Sequence, residues 1–359
     1  MHVNTFSTAA VAAAMVAVSA SALDIIVPDD NATIQGAIDA ASDGDTIKVR
    51  AGDYPEWIDL GVKNLIIESF DGAATTFIGS YDADTSMVRI VGGQTSATEV
   101  RGFTIRKGRV GSAPDANPAS LSGGGLYVFE SNPLIENCTF TDNRTVFGGG
   151  CFVRNGGAEI RGCTFIDNTA TSDGGGLQAA AANVQVENCL FDDNLAGNEG
   201  GGAKVVLGDT LFEDCTFVHN NANEGGGVYW FSENNPNSHS IEMVNCSITM
   251  NIVSSSGFGG GIRARYGYTP VVLSGTTVCD NTPDQIYGPI ADMGGNTLCI
   301  CPADFNNDGE VNGADLGILL AYWGPCTGLP CFEDLNNDGE VNGADLGLFL
   351  SMWGPCPNP

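Results

Sequence analysis

Two acidic segments near the end of the chain place oxygen-bearing side chains at regular spacing. Asp304, Asn306, Asp308, Asn312 and Asp315 fall at positions 1, 3, 5, 9 and 12 of the first, and Asp334, Asn336, Asp338, Asn342 and Asp345 repeat the pattern thirty residues later. Position 7, Glu310 and Glu340, offers a backbone carbonyl, and position 6, Gly309 and Gly339, allows a sharp turn. This is the spacing of a Ca²⁺ loop, in which six to eight hard oxygens surround the ion. Carboxylates crowded in this way repel one another unless a cation offsets them. Two Ca²⁺ ions, one per loop, are therefore the expected cofactors. An apolar run follows each loop, Leu316 to Trp323 and Leu346 to Trp353, expected as a helix and ending in Gly-Pro-Cys.

The duplication also constrains the cysteines. Cys301 and Cys331 each stand three residues before a loop, and Cys326 and Cys356 close the equivalent helices. Under a pseudo-twofold axis, pairing Cys326 with Cys331 maps onto pairing Cys356 with Cys301; Cys279 with Cys299 is a third expected pair.

No entering helix precedes either loop, and position 12 is Asp rather than the Glu of an EF-hand. In these features the segment from about Cys301 to Pro359 resembles the type I dockerin family. The resemblance implies the metal roles given above and a partner that is a cohesin-like or other cell-surface protein. Where cellulosomal dockerins often show hydroxylated or basic residues, this chain has Gly313-Ala314, Gly343-Ala344, Ala321-Tyr322 and Ser351-Met352. A surface-attachment or stabilising module is the other reading of the unit.

The rest of the chain is organised by a Gly-Gly-Gly phrase starting at Gly123, Gly148, Gly174, Gly200, Gly225 and Gly259, at intervals of 25, 26, 26, 25 and 34 residues. Between the triplets runs a phrase of the type Asn-Cys-Thr-Phe-x-Asp-Asn, whose alternation has the period of a strand with one buried face. Repetition at this interval signals a stacked solenoid. Each period is expected to form one coil of two or three short parallel strands, making a parallel β-helix of ten or eleven coils. Stacking would place Cys138, Cys163, Cys189, Cys215 and Cys246 in one inward column. Phe140, Phe165, Phe191, Phe217 and Ile248 would form another, and Asn143, Asn168, Asn194, Asn220, Asn251 and Asn281 a recurring left-handed turn.

Upstream, Ile34, Ala37, Ile38 and Ala41 fall at helical spacing after Asn31, which reads as an N-cap; this helix would cover the open end of the first coil. Asp45 to Val49, Asn64 to Glu68, Met87 to Val91 and Val100 to Arg106 read as strands. The run Thr33 to Glu56 resembles the opening of right-handed β-helix proteins of the pectin lyase-like superfamily, a resemblance that covers about residues 24 to 298. It implies the fold and leaves the activity open. The galacturonase-type Asn-Thr-Asp and Arg-Ile-Lys signatures and the Arg-containing lyase motif are absent.

Residue positions then supply the candidate binding face. On the strand after each triplet, the second and fourth residues are expected outward: Tyr127 and Phe129, Phe152 and Arg154, Gln178 and Ala180, Lys204 and Val206, Tyr229 and Phe231, Arg263 and Arg265. Aromatic faces and cations suit an acidic polysaccharide, and the substrate-binding set is Tyr127, Phe152, Arg154, Lys204, Tyr229, Arg263 and Arg265. Lys204, Arg154 and Arg263 are the candidates for a lyase base, and Asp173, Glu199 and Glu224, just before successive triplets, could hold Ca²⁺ beside Lys204. Two insertions, Gly111 to Ser120 and Ser232 to Ser240, interrupt the repeat.

Composition fixes the setting. Lys and Arg number 14 against 43 Asp and Glu, a net charge of −29, with no Lys or Arg after Arg265. Such a balance excludes nucleic acid as the partner, since phosphate binding needs concentrated cations. The short apolar run Ala9 to Val18 before Ala20-Ser21-Ala22 reads as a signal peptide, and no later stretch reads as a membrane span. The expected organisation is a signal peptide over 1–22, an all-β right-handed parallel β-helix over 23–298, and a dockerin-like Ca²⁺ module with short helices over 299–359. The expected function is that of a secreted protein that binds, and on one reading cleaves as a lyase or glycoside hydrolase, an acidic polysaccharide. The alternative is a non-enzymatic adhesin or structural surface protein.

Overall fold

The computed structural model describes residues 22–80, 84–110, 122–232, 239–254, 257–265, 269–299, 301–306, 309–326, 331–336 and 338–356. The signal-peptide reading falls, but for Ala22, outside the described residues. So do the Gly111 to Ser120 insertion, all but the ends of Ser232 to Ser240, and Asp308.

Three long parallel sheets of 11, 9 and 10 strands run the length of the coil stack. One coil shows the order: Leu126–Phe129 in the nine-stranded sheet, Leu134–Glu136 in the eleven-stranded and Thr139–Thr141 in the ten-stranded. A fourth strand, Arg144–Phe147, follows in a sheet of five confined to the middle coils. The expected two or three strands per coil are thus four there. The fourth was hidden because its members shrink to pairs such as Leu195–Ala196 and Asn221–Ala222, too short to show a period. Likewise Val100 to Arg106 is two strands, Glu99–Arg101 and Thr104–Arg106, split where Gly102 takes φ 72°.

The inward columns stack in register. Phe140, Phe165, Phe191 and Phe217 are fully buried, with near-parallel rings 4.8, 4.7 and 4.5 Å apart. The five ladder cysteines are buried free thiols, as is Cys151, and burial pushes the Cys151 thiol up. The asparagine column is a continuous amide chain: Asn143, Asn168, Asn194, Asn220 and Asn251 each donate from Nδ2 to the next Oδ1 at 2.9–3.0 Å. The left-handed corner lies one residue earlier than expected, at Asp142, Asp167, Asp193, His219, Met250 and Asp280, with φ 51–58°. The ladder asparagine must keep its amide aimed into the stack, so the corner falls on the preceding residue.

The triplets are glycine because the coils touch there. A Cβ on Gly149 would sit 2.3 Å from the Gly175 carbonyl oxygen, and one on Gly150 2.7 Å from that of Gly176. Helix α1 (Ile34–Ala40) packs Ile34, Ala37 and Ile38 on the first coil, but its N-cap is Thr33, whose hydroxyl accepts from Gly36 N, not Asn31. The next two backbone N–H groups, of Ile34 and Gln35, are taken by the Glu56 carboxylate at 2.9 Å.

In the C-terminal module, α2 (Gly313–Ala321) and α3 (Gly343–Ser351) begin three residues before the expected starts. Asn312 and Asn342 cap them, with Asp315 and Asp345 completing capping boxes. The halves interlock: Gly324–Pro325 pairs antiparallel with Glu340–Val341, and Gly354–Pro355 with Glu310–Val311. All three expected disulfides are present: Cys301–Cys356, Cys326–Cys331 and Cys279–Cys299. Among the described residues no helix is long and apolar enough to cross a membrane.

Two outcomes check this core. Replacing Asn194, which donates to Phe165 O and Asn220 Oδ1 and accepts from Asn168, by Ala orphans several buried groups at about 1–3 kcal/mol each. The denaturant midpoint should fall by the equivalent of at least ~2 kcal/mol; an unchanged midpoint would refute the ladder's role. An aromatic disulfide reagent should find no reactive thiol in the native, unreduced protein and six after denaturation.

Candidate functional site

The residues expected outward on the nine-stranded sheet do point away from the core, yet only the fourth-position row reaches water. Tyr127, Phe152, Gln178, Lys204, Tyr229 and Arg263 stand in one in-register column, and none is more than 8% exposed. The cover is the triplet turn itself. The first glycine of each triplet takes positive φ, and a Cβ on Gly148, Gly174, Gly200, Gly225 or Gly259 would lie 2.7–2.8 Å from the Cβ of Phe152, Gln178, Lys204, Tyr229 or Arg263. Alternation along the strand could not reveal this, because the turn folds back over the face it precedes.

The column continues beyond the residues expected from the sequence. Asp59 and Arg89 precede Tyr127 in register, and Tyr287 follows Arg263. Cations and rings alternate along it. Arg89 lies 5.6 Å from the Tyr127 ring centre, Lys204 Nζ 5.4 Å from that of Tyr229 and Arg263 4.1 Å from that of Tyr287. Tyr127 stacks on Phe152 at 5.9 Å. Burial raises the phenol pKa of Tyr127 and more strongly that of Tyr229, so both rings stay neutral. Trp230 fills the core as the alternation requires, and the register from Val205 through Trp230 to Ala264 is unbroken, so no bulge reverses this coil.

Beside the column, the short fourth strands bring Asp173, Glu199 and Glu224 into parallel bridges on successive coils. With Asn198 and Asn223 they line an open cavity of about 350 Å³. These carboxylates already have partners. Lys204 Nζ lies 2.9 Å from Asp173 and 2.5 Å from Glu199, Arg265 pairs with Glu199 at 3.1 Å, and Arg263 Nε with Glu224 at 3.2 Å. Lys204 thus supplies the positive charge that the sequence reading gave to Ca²⁺, and it is held between two carboxylates instead of standing free as a base. The Gln178 Oε1 atom in the same column is buried with no hydrogen-bond partner.

At the solvent edge run Phe129, Arg154, Ala180, Val206, Phe231 and Arg265, again in register. Arg265 is exposed and the others half-buried. The small Ala180 and Val206 leave the row shallow in its middle.

In the C-terminal module the buried carboxylates converge as a Ca²⁺ loop requires. Asp315 and Asp345 are wholly buried, and Asp304 and Asp334 nearly so. Asp315 accepts from Asn306 N and Asn312 N, and Asp345 from Asn336 N and Asn342 N, at 2.8–3.2 Å. Asp304 and Asp334 accept from the turn glycines Gly309 and Gly339 at 2.9 and 2.8 Å. Four buried carboxylates with no Lys or Arg anywhere in the segment, and a donor set made only of hard oxygens, fit Ca²⁺. Cys301 and Cys356, close to Asp304, are not further ligands because they form a disulfide.

A sequence profile described as "Right handed beta helix region" matches residues 88–282, the span that holds the triplets, both ladders and the column. The chain belongs to this right-handed β-helix family. No curated protein matches this β-helix chain. Among solved structures it is similar in fold to the pectin methylesterase from Aspergillus niger in deglycosylated form, at 16% identity over 78% of this chain and 87% of that one, TM-score 0.41. Pectin methylesterase from carrot gives 16% identity, 78% and 83% coverage and TM-score 0.38.

The ion pairs of the β-helix face give a direct check. Lys204→Met leaves Asp173 and Glu199, both largely buried, without their ammonium, and breaking such a pair costs about 3 kcal/mol. The first melting transition should fall by several degrees, whereas Arg154→Ala, whose guanidinium has no ion-pair partner among the described residues, should leave it within a degree or so.

Proposed function

We propose that this β-helix binds an extracellular acidic polysaccharide along the outer row of the nine-stranded sheet, and that the C-terminal module, loaded with two Ca²⁺ ions, attaches it to a partner or surface. The observation that carries the first part is the in-register edge of Phe129, Arg154, Ala180, Val206, Phe231 and Arg265 beside the carboxylate- and amide-lined cavity. Aromatic faces pack against sugar rings, amides and carboxylates bond hydroxyls, and cations meet uronate groups. On a chain of net charge −29 with 14 basic residues, this face gathers Arg154, Lys204, Arg263 and Arg265. The fold similarity to pectin methylesterases agrees with a polysaccharide ligand. Binding is favoured over cleavage because Lys204 and Arg263 are committed to ion pairs; a screen of pectins and alginates for new reducing ends or unsaturated products tests that choice.

In the module, Asp304, Asn306, Asp308, Asn312 and Asp315, and Asp334, Asn336, Asp338, Asn342 and Asp345, would hold the ions, with the carbonyls of Glu310 and Glu340. Bound Ca²⁺ would neutralise the buried carboxylates and hold each loop against its helix. Exposed Leu320, Trp323, Leu350 and Trp353 on and just after α2 and α3 supply an apolar surface for a cohesin-like or cell-surface partner.

Arg154→Ala and Arg265→Ala should each weaken binding to a uronan about two- to fivefold and reduce its salt sensitivity, as expected for exposed charge contacts. Thr164→Ala on the ten-stranded sheet should change neither; equal affinity for all variants would leave the row as ordinary surface. In the full chain, millimolar Ca²⁺ should raise one melting transition and chelator lower it, through mass action on the folded module. Calorimetry showing no Ca²⁺ binding would refute the module's assignment.

A further inference from the structure

The outward column does not stop at the last triplet. Arg263 is in register with Tyr287 at the end of the nine-stranded sheet. The Tyr287 ring lies between two others, Phe258 at 4.3 Å, stacked at 26°, and Phe332 of the C-terminal module at 5.0 Å, tilted at 56°. Arg263, anchored by Nε to Glu224, lies 4.1 Å from the Tyr287 ring centre and 5.8 Å from that of Phe258. These rings line a cleft of about 1350 Å³ between the last coil and the module. Phe258 and Phe332 remain 42% and 47% exposed, so their mutual contacts leave ring surface open to it.

Two further observations bear on the occupant. Pockets for drug-sized ligands measure about 300–1,000 Å³, so the cleft suits a stretch of an extended chain better than one small molecule. The module's near-identical halves differ immediately before the loops: Phe332-Glu333 stands where the first half has Pro302-Ala303. Neither pair contributes to the Ca²⁺ spacing, and the departure falls on the residue that meets the β-helix.

We propose that the C-terminal module completes the polysaccharide track, with Phe332 and Tyr287 stacking on sugar rings that continue from the sheet edge and Arg263 acting as a positioning residue that fixes the Tyr287 ring. This rests on the polysaccharide reading of the β-helix face and extends it across the junction. The apolar C–H face of a pyranose packs on an aromatic ring while its hydroxyls stay hydrated. An open ring row in line with a row of cations is the arrangement that binds an acidic glycan chain.

The test uses the full chain in Ca²⁺, titrated calorimetrically with oligogalacturonate and with alginate oligomers. Phe332→Ala should weaken binding about tenfold, the loss of one well-packed aromatic contact, while Phe332→Tyr stays within about twofold of the parent. Neither should move the Ca²⁺-dependent melting transition. Phe332→Trp provides a second readout, a fluorescence change on adding the oligomer. Unchanged affinity of Phe332→Ala beside a weakened Arg154→Ala would overturn the proposal and leave the sheet-edge reading standing. Loss of affinity only together with loss of the Ca²⁺-dependent transition would make Phe332 a structural contact and overturn it too. A parent protein that binds neither oligomer would remove both readings.

Discussion

Backbone contact between successive coils governs this molecule. The triplet N–H groups donate to carbonyls one coil away, as from Gly149 to Gly174 and from Gly150 to Gly175 at 2.9 and 3.1 Å, and the close approach leaves no room for Cβ atoms. Once the coils are locked at that separation, like residues must stack on like. The phenylalanine rings stack because they cannot do otherwise, and the asparagine amides meet their neighbours at bonding distance. A polar column inside the stack is tolerable only because each amide bonds both the next amide and a carbonyl, for instance Asn194 to Asn220 and to Phe165 O.

The same constraint builds the candidate site. Residues of one coil position become a row, so four cations and several rings far apart in sequence gather on one sheet, and Asp173, Glu199 and Glu224 gather beside them. Stacking like charges would be unfavourable. The column therefore alternates Arg89, Tyr127, Phe152, Gln178, Lys204, Tyr229 and Arg263, and the acidic row runs alongside it so that opposite charges interleave.

Much of this was legible in the sequence because a solenoid repeats its instructions. The cysteine, phenylalanine and asparagine columns, the inward Trp230, the pairings of Cys326 with Cys331 and Cys301 with Cys356, and the spacing of the two loops all follow from period and duplication. What escaped was structure without a period. The fourth strand is too short to alternate, and burial of Lys204 and Tyr229 follows from the glycine turn folding back over them. The Thr33 cap and the helix starts at Gly313 and Gly343 depend on which of several capping side chains wins locally. The role of Tyr287 depended on a register that ends in a strand of two residues.

The unbroken register across the fifth triplet coil carries a consequence for how such a chain changes over time. Thirty-four residues separate Gly225 from Gly259 where the preceding coils use 25 or 26, yet Val205, Trp230 and Ala264 still pair without a shift. Strand positions are dictated by the neighbouring coil, so extra residues at a corner cannot propagate. Lineages of this architecture can accordingly lengthen one loop, or copy an entire coil, without renegotiating the rest of the molecule, and new surface can be tried one corner at a time.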